Sequence, residues 1–216
     1  NKLRRIDSGL SYFLVTNLDD EVESESIDFN LLTLEFDTTD QIFFSVSLDR
    51  EQLFEPFEIR ENIVIPVGDY RFDRYRVGAR TSTGRAVSAG ATVTWGEFFS
   101  GNRTDYSGDV EWRVSRSLFM RLEYIQNAAH LPEGDFITRI ARFRVNIYFT
   151  PDISWTNFVQ YDNGSDILGI NSRLRWIVRP GTELFVVVNS GAFVTEETFR
   201  PESTELTSKF SVTFRF

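Results

Sequence analysis

Leu206-Thr207-Ser208-Lys209-Phe210-Ser211-Val212-Thr213-Phe214-Arg215-Phe216 alternates residue by residue. Successive side chains of an extended strand point to opposite faces, so Leu206, Ser208, Phe210, Val212, Phe214 and Phe216 share one side. Thr207, Lys209, Ser211, Thr213 and Arg215 share the other. The split recurs upstream, where Ala141, Phe143, Val145, Ile147 and Phe149 stand against Arg142, Arg144, Asn146 and Tyr148. It recurs again where Ile170, Leu174, Trp176 and Val178 stand against Asn171, Arg173, Arg175 and Arg179. Each strand has an apolar face and a wet one, and the wet face carries arginine.

Two kinds of all-β protein use such strands. A soluble sandwich or lipocalin-like barrel turns its apolar side inward, whereas an outer-membrane barrel turns it toward lipid. An arginine on the lipid side at mid-membrane costs about 2–4 kcal/mol, so in a membrane the arginine rows must point inward. No stretch approaches a run of roughly 18 apolar residues, which leaves a closed sheet as the way for this chain to cross a bilayer. The fold expected is therefore all-β: an antiparallel transmembrane β-barrel of about twelve strands spanning 1–216 as one domain, complete or as the carboxy-terminal portion of a larger barrel. The strands are expected near 4–16, 26–36, 41–48, 69–82, 85–98, 104–114, 117–127, 136–149, 153–162, 167–178, 183–193 and 205–216.

The connectors fit alternation between two ends. One set centres on 38–39, 83–84, 115–117, 150–152 and 179–182, short stretches rich in turn formers that are expected in the periplasm. The other set, 18–25, 49–68, 99–103, 128–135, 163–166 and 194–204, is mostly longer and often acidic, as external loops would be. On this scheme Trp112, Trp155 and Trp176 fall near the periplasmic rim and Trp95 near the external one, the positions of interfacial aromatic girdles. Residues 49–68 are long for a hairpin link, and such loops are often functional.

Composition narrows the function classes. Aromatics make up 15% of the chain, with 21 phenylalanines, which suits pleated strands. No cysteine is present, so disulfides, thiol nucleophiles and Cys/His zinc sites are excluded. A net charge of −9 argues against nucleic acid as a partner, because counterion release needs a cationic surface.

Several runs resemble one family. Phe54-Glu55-Pro56-Phe57-Glu58, Ile65-Pro66-Val67-Gly68-Asp69-Tyr70, Leu131-Pro132-Glu133-Gly134-Asp135-Phe136, Phe149-Thr150-Pro151, Phe158-Val159-Gln160-Tyr161-Asp162 and the run from Ser172 through Arg175, Trp176 and Arg179 to Gly181 carry the likeness. Together they resemble the carboxy-terminal outer-membrane barrel domain of unknown function that follows an amino-terminal, family-nine-like carbohydrate-binding module. The resemblance covers roughly 49–216 and implies a bacterial outer-membrane location, a longer parent protein and carbohydrate-binding or other envelope partners. It carries over no catalytic residue. Phe210, Phe214 and the terminal Phe216 also resemble the insertion signal read by the barrel-assembly machinery.

Candidate chemistry is sparse. The inward face is expected to hold a charge network of Arg74, Arg76, Arg80, Asp109, Glu111, Arg113, Arg121, Glu123, Arg142, Arg144, Arg173, Arg175, Lys209 and Arg215. Such residues either line an anion-attracting pore or cross-link the wall, and Glu111 and Arg113 opposite Arg121 and Glu123 favour cross-linking. His130, the single histidine, lies in an expected loop without a demonstrable nucleophile beside it, so a solvated side chain is favoured over catalysis. The acidic stretches 19–25 and 196–205, and Asp162-Asn163-Gly164-Ser165-Asp166, offer carboxylates for calcium but no complete binding-loop spacing, and no metal or cofactor is expected. The function expected first is a non-enzymatic outer-membrane barrel, in contact with lipid, that anchors or assists the handling of an extracellular ligand such as carbohydrate. A porin-like channel is the alternative, and a membrane-associated hydrolase the third reading.

Overall fold

Period-two alternation resolves into paired strands throughout a computed structural model that describes residues 2–195 and 198–213. The strands are β1 (Leu3–Thr16), β2 (Val22–Phe36), β3 (Gln41–Leu53), β4 (Phe57–Arg60), β5 (Ile63–Ile65), β6 (Gly68–Arg80), β7 (Val87–Phe98), β8 (Gly101–Arg113), β9 (Leu118–Leu131), β10 (Gly134–Thr150), β11 (Ile153–Asp162), β12 (Ile167–Arg179), β13 (Thr182–Val194) and β14 (Phe199–Val212). Twelve of them form one sheet in the order β1-β2-β3-β6-β7-β8-β9-β10-β11-β12-β13-β14, a meander in which each strand pairs with the next. β4 and β5 form a separate hairpin. All twelve expected strands are present, and the hairpin is an addition that alternation alone does not reveal.

The chain folds as two compact units, one of residues 1–82, 90–108 and 126–137 and the other of 83–89, 109–125 and 138–216. In the second unit the register joins the apolar positions into continuous rows. Ile147 pairs with Trp155, Trp155 with Leu174, and Leu174 with Val186. Ile153 pairs with Trp176, Trp176 with Leu184, and Leu184 with Phe210. Residues directly opposite in an antiparallel ladder lie on the same face, so these rows form one apolar surface. Its side chains remain exposed, Phe143, Leu174, Trp176 and Phe210 among them.

The first unit is built the same way. Leu10 pairs with Phe29, Phe29 with Val46, Val46 with Tyr75, and Tyr75 with Trp95. The Tyr75 and Trp95 rings stack at 6.0 Å. Leu31 is the extra residue of a bulge where the β2–β3 register steps from Asn30 opposite Ser45 to Leu32 opposite Phe44.

The strands run further than alternation suggests at the end that bears the hairpin. β3 continues to Leu53, β9 to Leu131, and β14 begins at Phe199. The expected long loops 99–103 and 128–135 shrink to residues 99–100 and 132–133, so the difference in connector length between the two ends does not hold there. In β3 and β14 backbone pairing persists where both faces are largely polar, because the ladder needs its hydrogen bonds and not an apolar face, whereas the β9 extension carries Ala129 and Leu131 into a buried apolar cluster. Pro201 is accommodated inside β14 at a register shift, where Gly191 faces Ser203 and Ala192 faces Pro201.

The long stretch 49–68 folds into β4–β5, turning at Asn62, whose φ of 64° suits asparagine in a tight turn. Ile63 and Ile65 are buried with Phe98, Ala129 and Leu131, and Leu53, Ile59, Tyr70, Phe99 and Phe136 pack around them. Gly134, at φ 150°, leaves room for this seat: a Cβ there would stand 3.0 Å from Ile63 Cγ1. Ile65 is fully buried, and Ile65→Ala is expected to cost about 2–5 kcal/mol of local stability. The check is amide hydrogen exchange across 57–65, which should lose protection while β11–β13 keep theirs.

Candidate functional site

The second face of the sheet is polar in both units. In the first unit Arg74, Arg76 and Arg80 of β6 lie opposite Ser47, Ser45 and Gln41 of β3 and opposite Gly96, Thr94 and Gly90 of β7. Arg74 donates from Nη2 to Asp105 Oδ2 at 2.7 Å, and Arg103 donates from Nε to Asp105 Oδ1 at 2.6 Å. Both guanidinium groups also lie over the Phe98 ring, Arg74 at 5.9 Å and Arg103 at 4.6 Å. One carboxylate thus holds two cations above an aromatic floor. Sequence reasoning missed Arg103 and Asp105, although both fall in step with Asp109, Glu111 and Arg113 along β8. Gly96 is required beside this cluster: at φ 143° a Cβ would meet the Asp73 carbonyl oxygen at 2.1 Å.

Beside Arg76 lies an open cleft of about 440 Å³ lined by Gly9, Ser11, Asp28, Asn30, Ser45 and Phe43 among others. The β4–β5 hairpin belongs to this same face. Phe98, which is buried with Ile63 and Ile65, lies two residues from Gly96, and Phe72, which packs on it, lies two residues from Arg74 and opposite Asp49, so the ring that meets the hairpin and its neighbour project from the arginine side of the sheet. Phe72 packs on Phe98 and Phe99 at ring separations of 6.0 and 5.8 Å.

In the second unit, four of the expected charged residues pair otherwise than their strand neighbours suggest. Glu111 stays with Arg113 on its own strand, at 3.4 Å, and does not meet Arg121. Arg121 reaches Asp109 at 3.8 Å, while Glu123 binds Arg142 of β10 at 3.5 Å. Stagger between neighbouring strands decides which charges meet, and stagger is not written in alternation. Arg175 is held bidentately by Glu183, at 2.6 and 3.1 Å. Arg144 and Arg173 lie over the rings of Phe158 and Phe185 at 5.4 and 4.8 Å and have no carboxylate partner among the described residues. Lys209 sits opposite Phe185. Arg215, Phe214 and Phe216 lie outside the described residues, as do Glu196 and Glu197. Phe210 is on the apolar face, opposite Leu184.

His130 lies on β9 and not in a loop, with its Nδ1 3.0 Å from Asp135 Oδ2 and both side chains mostly exposed. Asp162 Oδ1 accepts the Gly164 amide at 2.7 Å, and Asn163 accepts the Arg139 amide, so these side chains serve a turn. Asn17 does the same for the acidic stretch after it, accepting the Asp19 and Glu21 amides at 2.9 Å each. Among the described residues no group of three or more histidine or acidic side chains is arranged to hold a metal ion.

The arrangement defines a class: an all-β, antiparallel protein whose twelve-stranded sheet has one apolar and one arginine-rich face. No family model matches the sequence, and no curated protein matches it. Among solved structures, the chain is similar to the KdgM porin in complex with disordered oligogalacturonate, at 12% identity and a TM-score of 0.32, over 89% of this chain and 94% of that one. A likeness of that degree carries no functional information by itself.

Proposed function

We propose that this protein is a bacterial outer-membrane β-barrel that conducts solutes along its polar face. The supporting observation is the two-faced sheet: exposed Phe143, Leu174, Trp176 and Phe210 on one side, and on the other arginine, carboxylate and small polar residues interleaved with rings such as Phe98, Phe158 and Phe185. Apolar side chains presented outward along strands of this length suit hydrocarbon, and lipid tolerates a sheet only when its edges are closed. In such a barrel the arginine face lines the interior. Trp95, Trp112, Trp155 and Trp176 lie a few residues from strand ends, where headgroups meet hydrocarbon. The barrel-assembly machinery and an amino-terminal carbohydrate-binding module belong to the same proposal as partners.

The test is electrical. Refolded protein added to a planar lipid bilayer should give stepwise currents. Tryptophan quenching by brominated lipid should accompany them and shows insertion independently. Inserted protein that stays electrically silent would favour the anchoring role, in which the barrel holds an external module at the surface.

A further inference from the structure

The polar face of the second unit contains a small cavity of about 170 Å³ whose lining is Arg121, Glu123, Arg142, Arg144 and Phe158. Three guanidinium groups thus face one carboxylate. That carboxylate is engaged by Arg142, at 3.5 Å, and Arg142 is further fixed by donating from Nε to Gln160 Oε1 at 3.0 Å. Arg144 is steadied over Phe158 without a carboxylate of its own among the described residues. Arg121 has the longest ion pair of the group, 3.8 Å from Nη2 to Asp109, and its Nε is buried with no hydrogen-bond partner. A buried donor left unpaired is unfavourable, more so on a charged group, so the cavity is short of both negative charge and an acceptor.

We propose that this cavity is a binding subsite for the carboxylate group of an organic anion. A planar carboxylate presents two oxygens to the planar fork of an arginine, and the Arg121 guanidinium, engaged among the described residues only by its long contact to Asp109, has donors left to offer them. Arg144 supplies the second cation, and Arg142, held by Glu123 and Gln160, keeps the wall in place. The volume amounts to roughly five or six waters, enough for a short carboxylic acid or for the acidic end of a longer solute. The inference rests on the reading that the polar face borders water inside a barrel, and it gives that passage a preference for carboxylates.

The experiment is calorimetric titration of the full chain, refolded in detergent, with succinate, its neutral diamide, and inorganic sulfate. Succinate is expected to bind saturably and the diamide not at all. Arg121→Gln and Arg144→Gln should each weaken succinate by about tenfold or more, the loss of a charge-assisted hydrogen bond. Arg173→Gln, on the same face but outside the cavity, should leave binding unchanged. Circular dichroism and heat-shifted gel migration show that each variant is folded. Succinate binding equal in wild type and in R121Q/R144Q would overturn the subsite, and so would sulfate binding as tightly as succinate. Wild-type currents alongside an absent succinate signal would sink the subsite and leave the channel standing, whereas R121Q-sensitive binding by a silent barrel would do the reverse.

Discussion

Excising residues 55–66 and joining the flanks with a short glycine–serine link should raise single-channel conductance several-fold while leaving the twelve-stranded sheet intact. The expectation follows from where the hairpin sits. Ile63 and Ile65 are buried against Phe98, Ala129 and Leu131, and Phe98 projects from the arginine side of the sheet. In a closed barrel that side is the interior, so β4–β5 occupies cross-section that ions would otherwise use. The seat is apolar and local, whereas the sheet is held by its ladders, so loss of the hairpin should not unfold β1–β3 or β6–β14. Conductance equal to that of the intact protein would mean that the hairpin stands clear of the path.

The second large effect concerns the opposite face. Phe143→Arg should destabilise the protein in lipid vesicles by about 2–4 kcal/mol, read from denaturant unfolding, because the guanidinium would enter hydrocarbon near mid-membrane. Phe143 lies mid-way along β10, opposite Val159, whose next partner is Ile170. Asn171→Arg is the matched control. It lies on the polar face between Phe158 and Asn189, where an added cation meets water, and it should cost far less. Equal losses for the two would remove the distinction between the faces and, with it, the membrane reading.

Much of this is legible in the alternation. Spacing alone assigns Arg142, Arg144, Arg173 and Arg175 to one face, and the registers of β10 to β13 place them together. Period two is a local property, so it survives without knowledge of the partner strand. Three things are not legible, each for a physical reason. Strand ends such as Phe199–Thr204 carry polar residues on both faces, so pairing there leaves no hydrophobic trace. β4 and β5 are too short to show a period, and they are held by packing against distant Ala129 and Leu131. Salt-bridge partners depend on the offset between strands, which is why Arg121 finds Asp109 and Glu123 finds Arg142.

The short links at residues 99–100 and 132–133 follow strands longer than a bilayer needs. β9 and β10 have 14 and 17 residues, whereas roughly 9–11 cross hydrocarbon. The surplus stands as a paired wall and not as dangling loops. A digestive enzyme must draw several residues of chain into its cleft, and backbone already committed to a ladder does not yield them readily. In the proposed outer-membrane barrel with this end outward, those corners should pass intact through protease treatment of whole cells, a hard rim where many surface proteins are shaved first.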